Sequence, residues 1–131
     1  VMNGIPAIQQ PLSLHRPPDD IRPWGCFWVL VDAPTHKVKQ LQVSPGHRLS
    51  LQRHQHRQEH WVVAAGVATI TVDERTWEAH PGEVAFIPQG AVHRLANTGN
   101  QPVLLIELQL GTYFGEDDIE RLEDDYQRPL P

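Results

Sequence analysis

An all-β domain, closed as a barrel or stacked as a sandwich, is the fold class this sequence predicts, and three observations predict it. From Trp24 to Leu110 apolar and polar residues alternate with period two, the repeat of a strand that buries one face. The apolar runs are short and are cut by Pro45-Gly46, Pro81-Gly82, Pro88-Gln89-Gly90 and Asn97-Thr98-Gly99-Asn100, residues that supply a fixed or a positive φ. Prolines within the stretch fall only at such breaks, as a ladder that uses its N–H groups demands.

Strands are expected near 24–31, 36–43, 48–54, 59–65, 67–72, 84–87, 92–97 and 102–110. Residues 1–21 are proline-rich and lack a sustained apolar period, so they read as an extended arm; 22–126 read as the folded domain and 127–131 as a tail. A chain of 131 residues suits one core. After Gly115, the acids Glu116-Asp117-Asp118 suit the first turn of a helix, with Ile119 and Leu122 on one side. A short C-terminal helix through about Asp125, packed outside the barrel, is therefore expected.

Composition narrows the function. With 40% hydrophobic and 21% charged residues and no long apolar run, a soluble globular chain is expected. No basic stretch followed by an apolar one opens it, so the cytoplasm is the expected compartment. The net charge of −5 argues against a nucleic-acid binder, and a membrane role is not expected. Cys26, the single cysteine, excludes an internal disulfide and reads as a small apolar residue. Charge is uneven: residues 36–60 hold Lys37, Lys39, Arg48, Arg53, Arg57 and five histidines, whereas 116–125 hold seven acids and one arginine. The cationic middle is where an anionic ligand would be sought.

Ser50, Gln52, His54 and His56 alternate with Leu49, Leu51 and Arg53, so a strand points the polar set to one face. One inward histidine is usually a hydrogen-bonded core residue; the spacing around these residues argues for more. Gly46 is followed after five residues by Gln52, then by His54, after four more by Glu59 and after six by Gly66. This resembles the first cupin motif, with Gln52 where its first histidine usually stands. The run Gly82 to Asn97, through Pro88, Gly90 and His93, resembles the second cupin motif at every fixed position. The pair implies a cupin jelly-roll barrel whose mouth holds one divalent metal through Gln52, His54, Glu59 and His93. A rival register through His54 and His56 lengthens the first gap and shortens the second. Imidazole, carboxylate and amide donors suit zinc, placed first, or manganese, iron, cobalt or nickel.

The runs Arg22-Pro23-Trp24-Gly25, Lys37-Val38-Lys39, Leu49 to Trp61 and Gly115-Glu116-Asp117-Asp118-Ile119 look like the isomerase domain of type II mannose-6-phosphate isomerases. In that family the domain commonly follows a mannose-1-phosphate guanylyltransferase. Nothing here resembles the transferase's glycine-rich signature, so a stand-alone isomerase domain is implied. The resemblance implies metal-dependent interconversion of mannose 6-phosphate and fructose 6-phosphate through an enediolate, which needs a general base. Lys39, His56 and Glu107 are the candidates. Lys39 shares a face with Leu41 and Val43, while Glu107 faces opposite to Leu104, Ile106 and Leu108, toward interior or solvent. Arg57 and Arg94, each beside a ligand-bearing segment, are expected to bind the phosphate, and Arg22 could close over the site. Another metal-dependent cupin enzyme, dioxygenase-like, or a non-catalytic sugar-binding cupin are the alternatives. The arm and the open sheets suggest a homodimer.

Overall fold

The computed structural model describes residues 14–129, so most of the proposed arm and the end of the tail lie outside the described residues. The described residues form eleven strands: β1 (Asp20–Arg22), β2 (Gly25–Asp32), β3 (His36–Val43), β4 (Leu51–Arg53), β5 (Arg57–Ala65), β6 (Ala68–Val72), β7 (Arg75–Ala79), β8 (Val84–Ile87), β9 (His93–Ala96), β10 (Val103–Gly111) and β11 (Glu120–Glu123). They make two antiparallel sheets, β1-β2-β3-β10-β5-β8 and β11-β4-β9-β6-β7. The all-β expectation holds, with β1, β7 and β11 added to the strands read from the sequence.

The alternation of side chains sets the interior. On β10, Val103 and Leu105 are fully buried, and the next two inward positions are Glu107 and Gln109. The ladder aligns Leu105 with Leu41 of β3 and Val63 of β5, then Glu107 with Lys39 and Trp61. Apolar rows thus fill one end of the barrel and polar rows the other. The apolar end supplies the burial free energy; the polar end is where ligands can be held. Gly66, between β5 and β6, has φ of 77°, and a Cβ there would lie 2.4 Å from the Pro102 carbonyl oxygen. Only glycine allows that turn.

The C-terminal helix is not found: the described residues contain no helix. Glu116–Asp117 form a turn, and β11 pairs with β4, Glu120 opposite Arg53 and Arg121 opposite Gln52. The acids read as a helix start serve other partners. Glu116 pairs with Lys39, Asp117 accepts from the Tyr113 hydroxyl, and Asp118 accepts from the N–H groups of Gln55 and His56, each at 3.0 Å. Leu122 is exposed, so the segment lacks an apolar stripe wide enough for a packed helix, whereas the free edge of β4 offers a ladder.

Past β11, Asp124 fixes the chain's last described turn. Its carboxylate accepts from the backbone N–H groups of Tyr126 and Arg128 and from the Arg128 guanidinium at 2.9–3.2 Å. Burial would raise its pKa, but these donors hold it down to about 2 from 3.8. A lowered carboxyl stabilises the fold above its ordinary value and ceases to do so as pH falls through the lowered one. Asp124→Asn is expected to lower the melting temperature at pH 7, with the gap to the parent closing as pH falls from 3.8 toward 2; a constant gap across that range would contradict this.

Candidate metal centre

Three inward side chains converge at the polar end: His54 just after β4, Glu59 on β5 and His93 on β9. Their ligating atoms all lie within 4.8 Å of one another. The His54 Nε2 is 3.3 Å and the His93 Nε2 3.9 Å from the Glu59 carboxylate. The backbone decides which nitrogen of each imidazole faces the centre. His54 Nδ1 lies 2.6 Å from the Asp118 carbonyl oxygen and His93 Nδ1 2.9 Å from that of Ala91. A carbonyl only accepts, so each Nδ1 carries the proton and each Nε2 turns a lone pair inward.

The electrostatics agree with a cation at this point. Burial lowers the His54 pKa to about 4, so the ring is neutral, the form a metal requires. Burial pushes the Glu59 carboxyl up, but His93, Arg57 and His54 together hold it well below the usual range. The His93 Nε2 is buried and has no hydrogen-bond partner. Orphaned polar atoms of this kind are uncommon, and a divalent ion would satisfy this one, so the donor set fits a metal. Gln52 faces His93 across the β4–β9 ladder, and its Oε1 accepts from the Ser50 hydroxyl at 2.9 Å.

Around the trio a second layer fixes the carboxylates. Arg57 Nε donates to Glu59 at 2.9 Å, and one of its two terminal nitrogens, Nη2, donates to His54 Nε2 at 3.3 Å. The Trp61 indole N–H is shared between Glu59 at 2.9 Å and Glu107 at 3.2 Å. Gln109 donates to the other oxygen of Glu107 at 2.7 Å. Burial, and then the adjacent Glu59 carboxylate, push the Glu107 carboxyl up. Gln52, His54, Arg57, Glu107 and Lys39 line one chamber of about 60 Å³, while Glu59 and His93, each 1% exposed, sit behind that lining.

The structure brings together Lys39, Gln52, His54, Arg57, Glu59, His93 and Glu107, and it leaves two expected residues apart. The His56 ring is exposed and packs edge-on against Tyr113, outside the chamber, so the register through His56 is not the one built. Arg94 is also elsewhere: its guanidinium donates to the Leu49 carbonyl and to Glu123. Neighbours on a strand point to opposite faces, so a residue beside inward His93 points outward. Lys39 is buried, pairs with Glu116 and lies 4.2 Å from the centre of the Phe27 ring.

Asp118 escaped the sequence reading. Its carboxylate grips the Gln55 and His56 N–H groups while its carbonyl orients His54. The Gly-Glu-Asp-Asp-Ile run was legible, but its acids were given to a helix. Asp118→Ala keeps the carbonyl that orients His54 but removes the carboxylate that anchors the segment to the Gln55 and His56 N–H groups. Metal binding is therefore expected to weaken, by at most the about 10- to 100-fold cost of losing an orienting group outright; a metal titration against a competing chelator measures it, and unchanged affinity would refute it.

Two packed sheets with a buried histidine–carboxylate–histidine trio at one end define a cupin-type barrel with a candidate metal centre. A family model described as "Mannose-6-phosphate isomerase C-terminal" matches residues 9–124, and the chain belongs to that family. It is 50% identical over 107 residues to the alginate biosynthesis protein AlgA of Pseudomonas aeruginosa, covering 82% of this chain and 22% of that protein. It is 41% identical over 119 residues to a mannose-1-phosphate guanylyltransferase of Sinorhizobium fredii, covering 91% and 23%. The chain thus spans about a fifth of the length of these relatives. Among solved structures, an oxalate decarboxylase of Lactobacillus farciminis superposes with a TM-score of 0.69 at 23% identity over 81% of this chain and 33% of that one. A double-stranded β-helix protein of Klebsiella pneumoniae gives 0.67 at 21% over 83% and 90%. At these identities the likeness is one of fold. No helix of the described residues is long and apolar enough to cross a membrane.

Proposed function

We propose that the chamber interconverts mannose 6-phosphate and fructose 6-phosphate, with one divalent cation, zinc foremost, held by Gln52, His54, Glu59 and His93. The observation that carries this reading is the orphaned His93 Nε2 facing Glu59 and His54, beside a chamber that also presents Glu107 and Lys39, in a chain of this family. When bound, the ion would polarise the carbonyl and hydroxyl oxygens of the open-chain sugar.

The chain's own residues do the rest. Glu107, oriented by Trp61 and Gln109, takes the proton from C2 in its ionised form and returns it to C1, while the O2 hydroxyl proton passes to O1. Lys39, on the facing strand in the same cross-strand row, offers positive charge to the enediolate oxygen as it develops. Arg57 holds Glu59 in place, and its buried NH1, which has no partner, can donate to a sugar oxygen. A hexose phosphate needs more than about 60 Å³, which holds only a few waters. Entry therefore requires Glu116 to give up its contacts with Lys39, Lys37 and Arg22.

The test is fructose 6-phosphate formation from mannose 6-phosphate, before and after chelation and after return of zinc, manganese or cobalt. Activity lost on chelation and restored by one ion supports the reading; no turnover with any of these ions would sink it. We also propose a homodimer, supported by the apolar strip Val62, Val84 and Phe86 exposed at the sheet edge, with light scattering as its check: a monomer at micromolar concentration removes it.

A further inference from the structure

We propose that Arg22, Arg121 and Arg128 form a pocket for a phosphate monoester at the mouth of the chamber, centred on Arg121. That the ester is a sugar phosphate rests on the isomerase reading; the pocket itself rests on the arrangement of these three side chains.

Five cationic side chains line the chamber, Arg22, Lys39, Arg57, Arg121 and Arg128, against the carboxyls of Glu107 and Glu116. Four of the five have close carboxylate partners: Lys39 has Glu116, Arg57 has Glu59 at 2.9 Å, Arg22 has Asp20 at 2.8 Å and Arg128 has Asp124 at 2.9 Å. Arg121 makes no ion pair with a described residue. Its NH1 donates to the Pro129 carbonyl at 3.2 Å, and its Nε is buried with no partner at all. An arginine does not discharge itself by losing a proton, so burying this donor beside other guanidinium groups is costly unless an anion completes the set. Burial and then the nearby Arg128 lower the Arg121 pKa, with Arg22 adding to that push and Asp124 and Glu116 opposing it. The net direction is that of a crowded cationic cluster.

The position suits a substrate held at both ends. Arg121 stands opposite Gln52 across the β11–β4 ladder, and Gln52 stands opposite His93 across the β4–β9 ladder. One row of adjacent strands therefore carries the anion pocket and two proposed metal ligands, and Arg121 and Gln52 line the same space. A guanidinium fork matches the geometry of phosphate oxygens and can bind two of them at once. Three such groups suit a doubly charged monoester better than a carboxylate. Glu116, 3.8 Å from Arg22, is the internal carboxylate an incoming phosphate would displace from this wall.

Titration calorimetry of the full chain with inorganic phosphate, and then with mannose 6-phosphate, tests the pocket without relying on turnover. Arg121→Met should weaken both ligands by about 10- to 150-fold, the range for one charge-assisted contact, with metal content unchanged. Arg121→Lys should recover part of the loss, and Arg53→Gln, whose charge lies outside the chamber and pairs with Glu120, should leave both affinities alone. Equal phosphate affinity in parent and Arg121→Met, both folded by circular dichroism, overturns the proposal. Should Arg121→Met fail to fold, Arg22→Gln and Arg128→Gln replace it, and unchanged affinity in both overturns it equally. Arg121-dependent phosphate binding in a parent that does not isomerise upholds the pocket while the isomerase reading falls. Turnover whose KM for mannose 6-phosphate is the same in parent and Arg121→Met does the reverse.

Discussion

Replacing His93 with alanine is expected to empty the metal centre and to abolish turnover with it. The imidazole is 1% exposed, its Nδ1 is committed to the Ala91 carbonyl, and its Nε2 meets nothing but the space shared with His54 and Glu59. It is a proposed direct ligand, so its removal should lower metal affinity by more than the about 10- to 100-fold that orienting groups cost. Metal analysis after dialysis should find about one ion per parent chain, a number set by the single such trio among the described residues, and close to none in the variant. Parent treated with chelator should match the variant in activity, which separates loss of the ion from damage to the barrel. A fully loaded His93→Ala protein, or an active metal-free parent, would refute the assignment.

How far the sequence revealed this centre depended on the constraint acting at each residue. The likeness to the two cupin motifs pointed to Gln52, His54, Glu59 and His93, and the fold brings the last three within 4.8 Å of one another. The bounds of β3 and β8 were legible because turn residues flank them. Glu107 was ambiguous for a physical reason: on β10 the outward positions Leu104, Ile106 and Leu108 are also apolar and largely covered, so alternation alone could not say which face was interior. Arg94 was misjudged by closeness in sequence to His93, although a strand sends adjacent side chains apart. Arg57, two residues from Glu59, obeyed that rule and arrived inside. Arg121 was hidden because its segment read as helix, and only the β11–β4 ladder places it beside Gln52.

Glu107→Gln is expected to reduce kcat by about 10²- to 10⁴-fold, the usual share of a positioned general base, with metal content and KM little changed. The amide preserves the shape that Trp61 and Gln109 contact but cannot accept a proton from C2, so the acid-side rise of kcat with pH in the parent should also disappear. A second readout needs no activity. In the metal-free protein, burial and then Glu59 raise the Glu107 carboxyl from 4.5 to about 8, so between those values the folded chain binds more protons than the unfolded one. Stability then falls as pH rises through that window, by up to about 1.4 kcal/mol per pH unit for one proton. Glutamine has no proton to lose, so urea unfolding of chelated parent and variant should diverge from pH 5 toward pH 8, the variant gaining relative to the parent. Parallel stability curves would deny Glu107 its raised pKa, and a fully active Glu107→Gln enzyme would pass the role of base to Lys39, its cross-strand neighbour in the chamber wall.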